Sequence, residues 1–151
     1  MRTFGSVDEI LDFAINAEIE AYKFYIKLSD FVESPEMAEV LSDLASVELE
    51  HKAKLELELM KIGKVVDTES KVEKYDSSDY VYSDATELDM DYMDVLSLAA
   101  AKEDAAFRLY VDLVPQASDE ESREMLLALA QEEARHKLRF ETERDRLLEQ
   151  K

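Results

Sequence analysis

The chain has two histidines, and each of them follows a glutamate by three positions. The pairs are Glu48 with His51 and Glu133 with His136. Residues three apart on an α-helix lie about one turn apart on the same face, so each pair can direct a carboxylate and an imidazole to one point. Acidic residues fill 37 of the 151 positions, and both histidines would have an acid at this spacing by chance roughly one time in sixteen. The two pairs alone therefore do not establish a metal site.

An internal repeat removes chance as an explanation. Adding 85 to a residue number in the first half gives its counterpart in the second half, so that Glu48 and His51 become Glu133 and His136. The same shift relates further residues of equal type: Ala14 and Ala99, Glu18 and Glu103, Ala21 and Ala106, Tyr25 and Tyr110, Leu41 and Leu126, Leu44 and Leu129, Ala45 and Ala130. The chain therefore contains two copies of a helix hairpin, and approximate twofold symmetry would bring four glutamates and two histidines to a common centre.

Four helices are predicted to position these residues, because apolar side chains recur at steps of three and four residues in each of them. The predicted helices span about residues 7–32, 35–62, 91–114 and 119–148. Ser6 begins a capping-box pattern at the first helix, and Ser118 begins another at the fourth. Pro35 suits the first position of the second helix, and Pro115 should end the third. The sequence thus predicts an all-α four-helix bundle.

Residues 63–90 differ in composition from the helices, since they are rich in Asp and Ser and contain the pattern Tyr80-Val81-Tyr82. This composition predicts an ordered but largely non-helical connection. A connection of this length can carry the chain from one end of a bundle to the other, as a crossover between the second and third helices. At 151 residues the chain is expected to form a single domain, residues 1–151.

Composition excludes several classes of function. The net charge of −19 argues against nucleic acid and against anionic membranes as partners. It indicates either a well-solvated acidic surface or a surface that attracts cations or a basic redox partner. With no cysteine, the chain has no thiol nucleophile, disulfide or rubredoxin-type iron site. The first residues lack the pattern of a signal peptide, and no apolar run is long enough to span a bilayer. We therefore expect a cytoplasmic protein.

The predicted centre would place four glutamates in an apolar interior. Burying an unpaired carboxylate costs several kcal/mol, and four carboxylates repel one another. No Lys or Arg is expected nearby, because the inward positions one turn away are apolar: Ala14, Ala21, Leu44, Ala99, Ala106 and Leu129. The simplest compensation is a pair of divalent or trivalent metal ions bridged by the carboxylates.

Four other acidic residues are close to the candidate ligands in sequence. Glu20 and Glu50 lie about 200° around their helices from the preceding site glutamate and should face solvent. Asp104 and Glu132 lie about 100° from the neighbouring site glutamate, so we expect them at the surface or directly behind the ligands.

The chain resembles the rubrerythrin family of ferritin-like proteins over residues 6–62 and 89–148. Two segments carry the resemblance together with the paired Glu-x-x-His elements: Glu18-Ile-Glu-Ala-Tyr-Lys-Phe-Tyr25 and Glu103-Asp-Ala-Ala-Phe-Arg-Leu-Tyr110. The resemblance implies a ferritin-like four-helix bundle that holds two metal ions, with a lone glutamate on two helices and Glu-x-x-His on the other two.

The resemblance also implies a role for each ligand. Glu48 and Glu133 would bridge the two metals, and Glu18 and Glu103 would be terminal ligands. His51 and His136 would each bind one metal. Such ligands suit two iron ions, with manganese or zinc as alternatives.

The reaction implied by the resemblance is reduction of hydrogen peroxide, or of dioxygen, by the diferrous centre of a homodimer. Electrons would come from a separate rubredoxin-like donor protein, since this chain has no rubredoxin domain. Tyr25 and Tyr110 would either fill the core or donate hydrogen bonds to ligand carboxylates and assist catalysis. Rubrerythrins carry a further glutamate about one turn from the position of Glu103. This chain departs from that pattern, because the residues one turn from Glu103 are Ala99, Ala100, Ala106 and Phe107.

Three alternatives stay open at this point. The protein could be a ferritin-type ferroxidase that handles iron, which would suit the acidic composition. It could be a dioxygen-activating oxidase or hydroxylase, which would need an open substrate pocket. A four-helix interaction protein with a vestigial or zinc-filled site is the third.

Overall fold

The computed structural model describes residues 3–64 and 91–150, and these form four α-helices and one short 3-10 turn. The helices are α1 (Val7–Phe31), α2 (Pro35–Lys61), α3 (Tyr92–Leu113) and α4 (Glu120–Glu149), and the turn is Val114–Gln116. No strand occurs within these residues. The predicted all-α class is confirmed. Residues 65–90, which include almost all of the predicted crossover, lie outside the described ranges.

Local sequence signals account for most of the helix starts. Ser6 Oγ accepts a hydrogen bond from the Glu9 backbone N–H at α1, and Ser34 caps α2 ahead of Pro35 in its first position. Asp91 opens α3 with a complete capping box. The cap of α4 differs from the prediction, because Asp119 rather than Ser118 accepts the first backbone hydrogen bond.

The two hairpins predicted from the repeat are present. Helix α1 packs along α2, α3 packs along α4, and the hairpins meet where α1 contacts α3. Helices α1 and α3 are therefore buried over a wider face than a single apolar stripe. No helix in the described part of the chain is long and apolar enough to cross a membrane.

Two separate apolar clusters form the core. One contains Leu11, Leu55, Leu113 and Leu126, and the other contains Leu28, Leu41, Leu96 and Phe140. The 85-residue shift exchanges members of the two clusters, for example Leu126 with Leu41, as expected for a twofold axis between them. The six candidate ligands belong to neither cluster. The fold therefore joins two apolar ends through a polar centre.

Candidate metal centre

The fold brings all six predicted ligands to one place. They form two overlapping sets of possible metal-binding residues: Glu18, Glu48, His51 and Glu133 in one, and Glu48, Glu103, Glu133 and His136 in the other. Within each set one ligand atom from each residue lies within 4.8 Å of the others. Atoms on opposite sides of a bound ion at about 2.1 Å would be roughly 4.2 Å apart, so small side-chain movements would close either set around an ion.

The polar atoms of this centre are buried and largely without partners. The four glutamates and His51 are almost completely inaccessible to solvent. Both carboxylate oxygens of Glu48 and both of Glu133 lack a hydrogen bond, as do Glu18 Oε2, Glu103 Oε2 and His136 Nδ1. Buried polar atoms normally have a partner, because leaving one unpaired costs about 1–3 kcal/mol or more for a charged group. The donor set therefore fits metal ions as the missing partners.

The electrostatics of the metal-free centre divide the four glutamates into two kinds. Burial and the charge of a neighbouring glutamate raise the pKa of Glu48 and of Glu133 well above the ordinary value. For Glu18, burial alone would raise the pKa, but the adjacent Glu48 and His51 side chains outweigh burial and lower the pKa. The pKa of Glu103 is lowered in the same way by Glu133. Glu48 and Glu133, which belong to both sets, therefore hold a proton more readily than Glu18 and Glu103 do.

Two buried tyrosines connect the hairpins at the centre. The Tyr25 hydroxyl on α1 donates a hydrogen bond of 2.8 Å to Glu103 Oε1 on α3. The Tyr110 hydroxyl on α3 donates to Glu18 Oε1 on α1. Burial and the nearby carboxylates raise the pKa of both phenols well above 10.0, so both remain protonated donors. Each tyrosine thus orients a carboxylate of the opposite hairpin.

The two histidines lie side by side but have different surroundings. Their ring centroids are 6.3 Å apart and their planes differ by 9°. His51 Nδ1 lies 2.9 Å from Glu133 Oε1, and His51 Nε2 lies 2.6 Å from Glu132 Oε2. His136 Nδ1 lies 3.7 Å from Glu103 Oε1. Only His51 has an acidic neighbour on both sides of its ring.

Sequence reasoning missed Lys102. No Lys or Arg was expected near the four glutamates, yet Lys102 is only 6% exposed. It lines a narrow cavity together with Glu18, Glu48 and Tyr110. The cavity has room for about one water-sized molecule. The expectation that no cation lies near the four glutamates was therefore wrong. A single lysine can offset the charge of only one of the four carboxylates, so most of the negative charge still requires compensation.

The two acidic residues expected beside the ligands behave differently from each other. Asp104 forms ion pairs with Lys137 at 3.0 Å and Arg108 at 3.1 Å, at the outer surface. Glu132 instead reaches inward to His51. Its position 100° from Glu133 allowed both outcomes, and only the contact between α2 and α4 decides between them.

A bundle of two helix hairpins around buried carboxylates and imidazoles defines the class of ferritin-like metal-binding proteins. A solved structure of a hypothetical protein from Pyrococcus furiosus has the same fold, with a TM-score of 0.67, 24% identity, and coverage of 97% of this chain and 92% of that chain. The family model for rubrerythrin matches residues 9–143. The chain belongs to the rubrerythrin family, whose members bind metal, typically two iron ions. No curated protein gives a significant match to the sequence.

Proposed function

We propose that this protein is a di-iron oxidoreductase that reduces hydrogen peroxide, or dioxygen, at the buried centre. The observation that carries the proposal is that the two possible metal-binding sets share Glu48 and Glu133. Two metal positions joined by two common carboxylates are what a bridged pair of ions requires.

The proposed ligand roles follow the two sets. Glu48 and Glu133 bridge the ions, Glu18 and His51 complete one position, and Glu103 and His136 complete the other. Two divalent ions would neutralise the four carboxylates, which removes most of the cost of burying them. Carboxylates with one imidazole per ion suit iron, with manganese or zinc as alternatives.

The residues around the centre are suited to a small oxidant. Two Fe(II) ions, when bound, would supply the two electrons that convert hydrogen peroxide and two protons into two molecules of water. The cavity beside Glu18 and Glu48 admits a molecule of about the size of water. This size suits hydrogen peroxide or dioxygen and disfavours a bulky organic substrate at that place.

Tyr25 and Tyr110 are proposed to assist this reaction by holding Glu103 and Glu18 in position. Replacing Tyr25 by Phe removes the 2.8 Å hydrogen bond while keeping the ring in the core. Loss of such a supporting hydrogen bond should slow the reaction with peroxide about tenfold or more while two ions remain bound. Tyr22→Phe is the matched control, because Tyr22 lies on the same helix but is only partly buried against one apolar cluster. Equal rates for Tyr25→Phe and Tyr22→Phe would exclude the role.

Turnover requires electrons from outside, and we propose a separate rubredoxin-like donor protein as their source. We also propose that the protein is a cytoplasmic homodimer. Helix α2 supports the dimer, since it exposes a stripe of apolar side chains at Leu49, Leu57 and Met60. A surface stripe of this kind is typical of a protein interface. Light scattering of the purified full chain tests the dimer, and a monomeric mass would exclude it.

The reaction is tested by loading the full chain with two equivalents of Fe(II) under anaerobic conditions. One equivalent of hydrogen peroxide or of dioxygen is then added, and the ferric absorbance is followed by stopped flow. Rapid oxidation by peroxide, with both irons retained after gel filtration, is the expected result. Glu50→Ala, which alters an exposed glutamate, should react like the parent protein.

Two other results would replace the proposal. Slow oxidation followed by release of iron as a mineral would identify a ferroxidase, which the net charge of −19 would suit because it attracts cations. Failure to retain any metal after reconstitution with iron would exclude both functions.

A further inference from the structure

The internal repeat is broken at Glu132, which contacts the candidate ligand His51. The 85-residue shift relates His51 to His136 and Lys54 to Arg139, but it relates Glu132 to Val47. The symmetric partner of the acidic residue beside His51 is therefore apolar. The two halves of the centre cannot be equivalent.

Glu132 crosses from α4 to α2 and faces the outer side of the His51 ring. Its Oε2 atom lies 2.6 Å from His51 Nε2, and its Oε1 atom lies 3.9 Å from Lys54 Nζ. The Glu132 side chain is 35% exposed, yet its Oε2 atom is shielded from solvent. Like the His51 Nε2 atom that it faces, Oε2 has no other hydrogen-bond partner among the described residues that would satisfy it, so the 2.6 Å contact is the one available to both atoms. The inner nitrogen of the ring, Nδ1, faces the carboxylates. Glu132 therefore contacts the ring nitrogen that a metal would not use.

His136 lacks this support. The only acidic residue of the described ranges within ion-pair distance of its ring is Glu103, at 3.7 Å on the inner side. Its side chain is 20% exposed, against 1% for His51. A ring without a partner on its outer nitrogen must lose rotational freedom when it binds a metal, and this costs free energy.

We propose that Glu132 is a positioning residue for His51 and that it makes the two metal positions unequal, with the His51 position filled first and the His136 position filled second. A carboxylate that accepts the outer N–H of a histidine fixes its tautomer and orientation, and losing such a partner typically lowers metal affinity 10- to 100-fold. The inference rests on the metal-binding part of the proposed function and is independent of iron and of the oxidant.

Zinc binding to the full chain, labelled with ¹⁵N at histidine, tests the order of filling. With one equivalent of Zn(II), the His51 ring signals are expected to shift in the parent protein, and the His136 signals should follow with the second equivalent. Competition with a chromophoric chelator gives the two affinities. In Glu132→Gln the first affinity should fall 10- to 100-fold, and the preference for His51 should shrink or vanish. Glu50→Gln is the matched control and should bind like the parent.

A gain-of-function variant sharpens the test. In Val47→Glu, the new carboxylate would stand beside His136 in the symmetric position, where Arg139 takes the place of Lys54. Combined with Glu132→Val, this exchange should reverse the order, so that His136 fills first. If the double variant fails to fold by circular dichroism, the Glu132→Gln comparison alone decides.

Two results would overturn the inference. One is simultaneous shifting of both histidines in the parent protein, and the other is an unchanged first affinity in Glu132→Gln. A parent protein that binds no Zn(II), even at excess, would instead count against the metal centre itself. The failure of this inference and the failure of the proposed function are therefore distinguishable.

Discussion

Glu48 and Glu133 contribute to both metal positions, whereas each of the other four candidate ligands contributes to one. They are also the two glutamates whose pKa is raised well above the ordinary value, first by burial and then by neighbouring carboxylates. A proton on each of them lowers the charge of the metal-free centre. An incoming ion must displace that proton, because carboxylates bind metals in the deprotonated form.

Replacing Glu133 by Ala is expected to abolish binding of both ions, and Glu48→Ala should do the same. Each variant removes an oxygen donor from both sets and leaves a single carboxylate to bridge the two metal positions. Metal content after reconstitution and desalting measures the effect, and Glu50→Ala should keep two ions per chain. Retention of two ions by Glu133→Ala would refute the bridging role.

The six candidate ligands could be predicted because identical residues recur 85 positions apart, and symmetry then requires them to converge. The inward orientation of Glu132 and the burial of Lys102 could not be predicted, since the symmetry counterparts of these residues, Val47 and Ala17, are apolar. Lys102 is buried because α1 packs beside α3, which covers a face that a single-stripe analysis leaves in solvent. For residues that break the repeat, the position relative to the metal centre is known only once the packing of the helices is known.

The helices were predicted more completely than any other feature, and each predicted boundary lies within one residue of the observed one. Periodic apolar residues and the prolines at 35 and 115 account for this agreement. The start of α4 was predicted with the wrong cap, because Ser118 and Glu121 match a capping box that the chain does not form. The Asp119 carboxylate instead accepts from the Ser122 backbone N–H at 2.9 Å.

This difference gives a paired prediction for α4. Asp119→Ala should lower the free energy of unfolding by about 1 kcal/mol, because the first turn of the helix loses its cap. Ser118→Ala should leave it nearly unchanged, since the Ser118 side chain caps nothing. Urea unfolding of the full chain, followed by circular dichroism, measures both values. The opposite ranking would show that Ser118 is the cap in solution.

The molecule as a whole places its charged centre between two apolar clusters. The ends stabilise the fold by burying apolar surface, whereas the metal-free centre opposes folding whenever its carboxylates are ionised. The stability of the metal-free protein should therefore depend on how many protons the centre holds. This number is set by pH.

The direction of the pH dependence follows from the pKa shifts. Burial and neighbouring carboxylates raise the pKa of Glu48 and Glu133 above the ordinary 4.5. For His51, burial lowers the pKa, but Glu18 and Glu132 outweigh it and raise the pKa above 6.5. The folded chain therefore holds protons that the unfolded chain has released, above about pH 4.5 for the two glutamates and above about pH 6.5 for His51. When the folded chain holds more protons than the unfolded chain, the free energy of unfolding falls as the pH rises. The decrease is about 1.4 kcal/mol per pH unit for each additional proton held by the folded chain.

The metal-free protein is accordingly expected to unfold at a lower urea concentration at pH 8 than at pH 5.5. The lowered pKa values of Glu18 and Glu103 act only below about pH 4.5, outside this window. Metal should reverse the trend, because ions replace the protons and bind more tightly as the ligands deprotonate. Urea unfolding with a chelator, compared with unfolding in the presence of Zn(II), measures both curves. A metal-free stability that rises between pH 5.5 and pH 8 would contradict the assignment of protons to Glu48 and Glu133.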